Sequence, residues 1–331
     1  MKSKWLEHTG MLCFMMLFTM FSMSTNASAA DDENTTTENI KNNTINYDFC
    51  GEFGWIDDAH CYLNYGVDTT ASRLNNWFKR EGDDQNSEAT TRGRVRFGWE
   101  PRSGDLSEFD FRFRIRVKLP ALEERVELFF SDEEDDLNQQ AVKAARNDEL
   151  GNRDQTVLAL QFKKDEKDKM SYRVGFGRGS QIYTRARYTD NIKLGANTNM
   201  RYFAESNFYS TDGLGFEANA ELGHVFNENS AYEISNSFRF RDRTNDWIWR
   251  HEFQYLYVTD DETSYLFTAA IDGLSKPRYQ KEQMLVSVRY KRRFLREWLF
   301  IEIEPFILWL REEEFRSSPG IAVRAEIHFQ T

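Results

Sequence analysis

Proline is scarce in this chain, with 5 among 331 residues, and there are only 18 Gly and 3 Cys. So little Pro and Gly, beside 40% hydrophobic and 15% aromatic residues, excludes a collagen-like or low-complexity disordered chain. Long apolar runs are lacking as well. The one candidate, Met11 to Phe21, falls well short of the about 20 residues a spanning helix needs, which excludes a helical-bundle membrane protein. Nor is there an excess of basic residues. Lys and Arg number 43 against 54 Asp and Glu, a net charge of -11, which argues against nucleic acid as a partner because a polyanion is bound by a basic face. A soluble domain or a β-barrel remains.

Residues 1–29 have the pattern of a secretory signal peptide. Lys2 and Lys4 precede the apolar stretch, and Ala27-Ser28-Ala29 closes it, so cleavage is expected after Ala29. Cys13 falls inside this segment. Cys50 and Cys61 then remain in an oxidising compartment, where they are a candidate disulfide, two unpaired thiols being the other reading. No second thiol pair or His cluster completes a metal site around them. Residues 30–54, rich in Asn, Thr, Asp and Glu over 31–46, are expected to be a disordered leader.

Residues 55–80 change period. Ile56, Ala59, Leu63, Val67, Thr70, Leu74 and Trp77 recur every three or four positions, the spacing of an amphipathic helix whose apolar face is expected to be this set. Such a segment could cap the domain that follows, lie on a membrane surface, bind a periplasmic partner, or simply pack.

From residue 91 to 329 the period becomes two. In Phe109, Phe111, Phe113, Ile115, Val117 and Leu119 the apolar residues alternate with Asp110, Arg112, Arg114, Arg116 and Lys118, so a strand here carries apolar groups on one face and charge on the other. The pattern recurs in strands expected near 91–100, 108–119, 124–131, 155–163, 169–178, 180–189, 199–208, 212–224, 231–242, 246–258, 263–272, 282–291, 297–310 and 319–329. A soluble sandwich could alternate in the same way. Many of these strands are nevertheless as long as the 9 to 11 residues that cross a bilayer at a tilt, and Trp247, Trp249, Tyr255, Tyr257, Trp298 and Trp309 crowd strand ends as interfacial girdles do. The fold class read from this is all-β: a transmembrane antiparallel up-and-down β-barrel of about 14 strands, with 12 as the second count, preceded by a short periplasmic helical segment. An even count brings both chain ends to one side and places the long connection Ser131 to Asp154 on the other.

The C-terminal sequence Arg296-Glu-Trp-Leu-Phe-Ile-Glu-Ile-Glu-Pro305, with Trp309-Leu-Arg-Glu-Glu313, Pro319-Gly-Ile-Ala-Val-Arg-Ala-Glu-Ile-His-Phe329, the segment Trp55 to Phe78 and the strand Phe113 to Pro120, resembles a group of outer-membrane β-barrel proteins of Gram-negative proteobacteria that has no assigned activity. The resemblance implies location and fold: an outer-membrane barrel handled by the barrel-assembly machinery and facing outer-membrane lipid and lipopolysaccharide.

In such a barrel the charged faces turn inward. Arg92, Arg94, Arg96, Arg112, Arg114 and Arg116 from the first two strands should meet Arg324, Glu326 and His328 across the closure, with Glu302 and Glu304 one strand further. An interior network of pairs is one expectation, since buried charge is tolerated when paired. The function expected with it is structural or narrow-pore, and a porin-like channel for small ions or solutes is the alternative. A lipid-facing hydrolase is a third reading. It would need a hydroxyl beside His251, yet the outward neighbours across the hairpin are Asn236 and Phe238, while Ser235 and Ser237 point inward. Gly175, Gly177 and Gly179 read as strand kinks, because no helix follows them. Asp132, Glu133, Glu134, Asp135 and Asp136 are candidate oxygen ligands for a divalent cation, or a solvated acidic loop. No cofactor motif is present.

Overall fold

Strict alternation of apolar and charged residues leaves each strand with two incompatible faces, and closing the sheet on itself is the arrangement that separates them without leaving an edge. The computed structural model describes residues 54–78, 89–119, 126–131, 142, 145, 156–165, 167–177 and 181–330. The signal segment, most of the leader, Cys50 and the acidic run Asp132 to Asp136 lie outside the described residues.

Among the described residues one helix, α1 (Trp55–Phe78), precedes fourteen strands: β1 (Thr90–Trp99), β2 (Phe109–Lys118), β3 (Val126–Ser131), β4 (Thr156–Phe162), β5 (Met170–Gly177), β6 (Ile182–Lys193), β7 (Thr198–Tyr209), β8 (Gly213–Asn227), β9 (Ser230–Arg241), β10 (Asp246–Asp260), β11 (Thr263–Leu274), β12 (Gln280–Phe294), β13 (Arg296–Leu310) and β14 (Ser317–Gln330). Each strand pairs antiparallel with its neighbours in sequence, and β1 pairs with β14 to close the barrel, so the count is fourteen and not twelve. β6 runs to Lys193, four residues beyond the position expected from the sequence, because Asp190 to Lys193 continue the ladder with β7.

Phe97, Trp99, Phe109, Phe111, Phe176, Phe216, Phe238, Phe253 and Phe267 stand exposed on the outside, while Arg96, Asp110, Arg112, Arg185, Glu205 and Glu217 are buried on the inside. So much exposed apolar surface would drive association in water and suits a lipid-facing wall.

The inside is less uniformly charged than the sequence pattern suggested. On β13 the inward positions change from Glu302 and Glu304 to Phe306, Leu308 and Leu310, and these form one cluster with Ala270 of β11, Leu285 of β12 and Ala322 of β14. A second inward cluster joins Phe129, Ala159, Tyr183 and Tyr209. Gly175 is explained here. A Cβ at this position would lie 2.4 Å from the Tyr183 ring and 2.8 Å from the Ala159 Cβ, so the residue makes room for an aromatic ring.

The helix docks by a different face from the one its apolar spacing indicated. Ala59, Leu63 and Thr70 are exposed, whereas Asp57, His60 and Ala71 touch the barrel. Asp57 accepts two 2.7 Å hydrogen bonds from Arg296 at the start of β13. The His60 ring stacks on Trp298 at 4.0 Å, and its Nε2–H donates to the His328 carbonyl at 3.1 Å. Further along, Ala71 packs with Ala89, Val117 and Leu119 beside β1 and β2. From Asp57 to Ala71 the helix advances about 21 Å at about 1.5 Å per residue, which suffices for the three steps of about 5 Å, widened by strand tilt, from β13 to β2. The helix therefore runs along the rim across the seam where the last strands meet the first. Polar anchoring wins over the apolar stripe because the strand ends at this rim present a carbonyl, a guanidinium and an indole. Cys61, on this helix, is disulfide-bonded.

Helix docking should depend on pH. Burial holds the docked His60 imidazole below its ordinary value of 6.5, with the His328 carbonyl and Asp57 opposing that shift. The undocked helix therefore binds the proton first, so docking is at full strength above about 6.5 and weakens as the pH falls toward the lower docked value. Arg296 holds the Asp57 carboxyl below its ordinary 3.8, so that pair survives the same window. Hydrogen exchange of the Asp57 to Ala71 amides should be faster at pH 5.5 than at 7.5, and His60→Phe should flatten the difference. Equal protection at both pH values in the parent protein would refute the account.

Candidate functional site: the barrel lumen

The seam brings the sequence-predicted charges together by register. Across β1 and β14, Arg94 lies opposite His328, Arg96 opposite Glu326 and Gly98 opposite Arg324, and across β13 and β14 Glu302 lies opposite Arg324. Arg324 is the hub. It donates to Glu100 at 2.6 Å and to Glu304, and lies 3.6 Å from Glu302. Glu304 also accepts from Arg289 at 2.9 Å and from Ser287 at 2.7 Å. Lys291 bridges Glu302 at 3.2 Å and Glu326 at 2.7 Å, and Glu326 is further flanked by His328 and by Arg94 at 3.8 Å. At Arg324 1%, Glu302 2%, Glu304 1% and Glu326 1% exposure, these charges face one another and not a water column.

The β1–β2 wall carries an unusual ladder. Arg92, Arg94 and Arg96 stand directly opposite Arg116, Arg114 and Arg112, an arrangement of like charges that is unfavourable unless something intervenes. Asp110 intervenes at one end, 2.8 Å from Arg112 and 3.6 Å from Arg96. Arg116 instead lies over the Phe129 ring at 5.1 Å, with Arg173 also over that ring at 4.4 Å. Arg92 is exposed near the rim.

Arg289 and Lys291 of β12, and Glu100, complete the seam network together with Asp110 of the charged face of β2, and inward parity on alternating strands was the signal available for the first three. Around the rest of the wall Arg187 pairs with Glu205, Arg201 with Glu221 and Arg239 with Glu217, at 2.5, 2.6 and 3.0 Å. Arg250 bridges Glu252 and Asp272.

The connection between β3 and β4 contributes to the lumen as well. Val142 and Ala145, at 0% and 3% exposure, belong to the apolar cluster formed by Leu285, Phe306, Leu308 and Leu310 on the inner wall. Gln283 fixes the position, its amide donating to the Ala145 carbonyl at 2.6 Å and to Asp272 at 2.9 Å. The apolar inward residues of β13 thus have a covering. No periodicity in the long connection signalled this, because two short side chains and one carbonyl make the contact.

His251 does face outward, as its parity implied, and its partner is Asn236 at 2.7 Å. Ser235 points inward and donates to Asn219 at 3.2 Å. His224 shares a 2.7 Å hydrogen bond with Thr198, a pairing the sequence did not mark. Among the described residues no group of three His, Cys, Asp or Glu side chains is placed to hold a metal ion.

Apolar outside, charged inside and closed without an edge, the molecule is a transmembrane antiparallel β-barrel of fourteen strands. No protein-family model and no curated protein matches its sequence. Solved outer-membrane proteins resemble it in structure. The OmpT outer membrane protein of Vibrio cholerae, folded in vitro, is 7% identical with a TM-score of 0.46, covering 75% of this chain and all of its own (100%). The outer membrane channel DcaP of Acinetobacter baumannii is 7% identical with a TM-score of 0.43, over 73% of this chain and 96% of its own. OccK11 of Pseudomonas aeruginosa has 7% identity and a TM-score of 0.42, again over 73% and 96%. The architecture itself rests on the hydrogen-bonded ladders of this chain.

Proposed function

We propose that the protein is a narrow-pore barrel of the outer membrane, its chain ends on the periplasmic side, whose lumen is obstructed on one side by the buried charge network and on the other end by the inserted segment at Val142 and Ala145. The seating of that segment against Leu285, Phe306 and Leu308 carries the reading, since a side chain at 0% exposure inside a lumen occupies space that solute would otherwise use. Fourteen strands enclose a lumen wide enough to pass solutes only where side chains leave it open. The porin-like alternative is favoured by the far wall, where the Arg201 side chain is about half exposed, 53%, beside Glu221 and so can meet a water path.

The location has its own test. The protein should fractionate with the outer membrane and migrate differently on electrophoresis with and without boiling. Recovery as a soluble periplasmic protein would refute the assignment.

A further inference from the structure

The outward His251–Asn236 pair takes no part in the lumen, and a polar pair on a lipid-facing wall calls for an explanation. It lies on β10 and β9 below the β11–β12 connection, at the end of the barrel opposite the chain termini. The Asn236 carbonyl oxygen accepts from His251 Nδ1–H, which leaves the imidazole Nε2 as an acceptor and the Asn236 amide nitrogen as a donor. Both are set in aromatic surroundings. Phe238 meets His251 edge-on at 6.0 Å and Trp249 lies beside it at 5.2 Å. Trp249 itself is 5% exposed, held flat over Gly273, where a Cβ would come within 2.2 Å of the indole, and covered by Tyr279 stacked at 4.9 Å. Among the described residues its indole N–H finds no acceptor.

Above this cluster sits a built cationic turn. Asp246 accepts from Ser275 N, Ser275 Oγ and Lys276 N at 3.0, 2.6 and 3.0 Å, which fixes the turn and leaves Lys276, Arg278 and Tyr279 exposed at its tip. Trp247, exposed and two positions above Trp249, marks the interface. Four residues of tilted strand separate Trp247 from His251, a depth of about 10 Å at about 3.3 Å per residue and a tilt near 40°. Cations at headgroup height, aromatic rings at the interface and a hydrogen-bonding pair about 10 Å lower match a glycolipid whose phosphates are carried on its sugar at the surface and whose acyl chains bear hydroxyls or ester branches below it.

We propose that this face of β9–β11 and the turn above it form a binding site for a phosphorylated glycolipid with amide- or ester-linked acyl chains, the chemical class of lipopolysaccharide. Lys276 and Arg278 take the phosphate, and the His251–Asn236 pair takes a hydroxyl or branch ester on an acyl chain. The site rests on the outer-membrane reading above and on that orientation. The experiment uses the full-length exported protein in detergent micelles, with purified lipopolysaccharide lipid anchor, its dephosphorylated form and a zwitterionic phospholipid as probes, and retained lipid read by native mass spectrometry. His251→Leu with Asn236→Leu, which removes both members of the pair together and leaves no unmatched polar group, should weaken retention of the phosphorylated anchor about tenfold or more. Lys276→Gln with Arg278→Gln should do the same for the phosphorylated form and leave retention of the dephosphorylated form unchanged. Heat-modifiable migration of each variant confirms that its barrel is folded. Equal retention by parent and both variants, or equal retention of the zwitterionic lipid by the parent, would overturn the site while leaving the barrel assignment intact. A parent protein without heat-modifiable migration would overturn the barrel reading and the site with it.

Discussion

Arg324→Met should lower the stability of the folded barrel by about 3–5 kcal/mol, the range observed when one partner of a buried ion pair is removed. Three carboxylates, Glu100, Glu302 and Glu304, converge on this guanidinium, and all are buried. Glu304 retains Arg289 and Ser287, and Glu302 retains Lys291, but Glu100 loses the charge 2.6 Å away. Lysine at both Glu302 and Glu304 should be at least as damaging, because it would set new cations beside Arg289, Arg324 and Arg96. Unfolding midpoints in detergent, measured with reversal potentials on the same variants in planar bilayers, separate the two readings of the lumen. A buried network yields a large loss of stability and little change in ion preference. If these charges lined a water-filled pore, reversal would shift anion against cation preference and leave the midpoint in place, and that result would make the porin-like alternative the better account.

Val142→Asp should raise single-channel conductance several-fold over a small parent value. The valine is buried in an apolar pocket lined by Leu285, Phe306 and Leu308, where an aspartate would lose its hydration, so that it would leave for water. Expelling it forfeits the burial of one valine, about 1.5–3 kcal/mol, and the hydrogen bond from Gln283 to Ala145 is then the remaining tie. The substitution lies on the connection and changes no strand, so heat-modifiable migration should be retained. Gln283→Ala should raise conductance less, because the apolar contact persists. Conductance of Val142→Asp equal to that of the parent, with the barrel folded, would mean that the inserted segment is not what narrows the pore.

The barrel was legible because two-residue periodicity is a local property that every strand states for itself. Phe109 to Lys118 sorts its apolar and charged groups before any partner is chosen, and the same holds for β14 from Ile321 to Phe329. Charge parity also placed Arg94, Arg96, Glu302, Glu304, Arg324 and Glu326 on inward faces, since the side of a strand a residue takes depends only on its position along it. The apolar inward run Phe306, Leu308 and Leu310 was the visible exception. It lay in plain sight as a loss of alternation on β13, yet nothing local says what covers it.

Three features depended on the closed structure. Arg324 became the hub because the β1–β14 register set Gly98 opposite it, where a Cβ would sit 2.9 Å from its side chain, and left its guanidinium between strands remote in sequence. The helix face that docks was chosen by Arg296, Trp298 and the His328 carbonyl, groups more than two hundred residues away that exist as a rim only after closure. Val142 and Ala145 found their pocket in the same way, across 138 residues from Ala145 to Gln283. The sequence by itself determined the strands, their two faces and the closed architecture, because these follow from side-chain periodicity and from the cost of leaving backbone edges unpaired in lipid. Which charges neutralise one another, which helix face is buried and what occupies the lumen were decided by the tertiary structure alone, because each is a contact between residues far apart in the chain, whose meeting depends on strand register and closure and on no property of either segment.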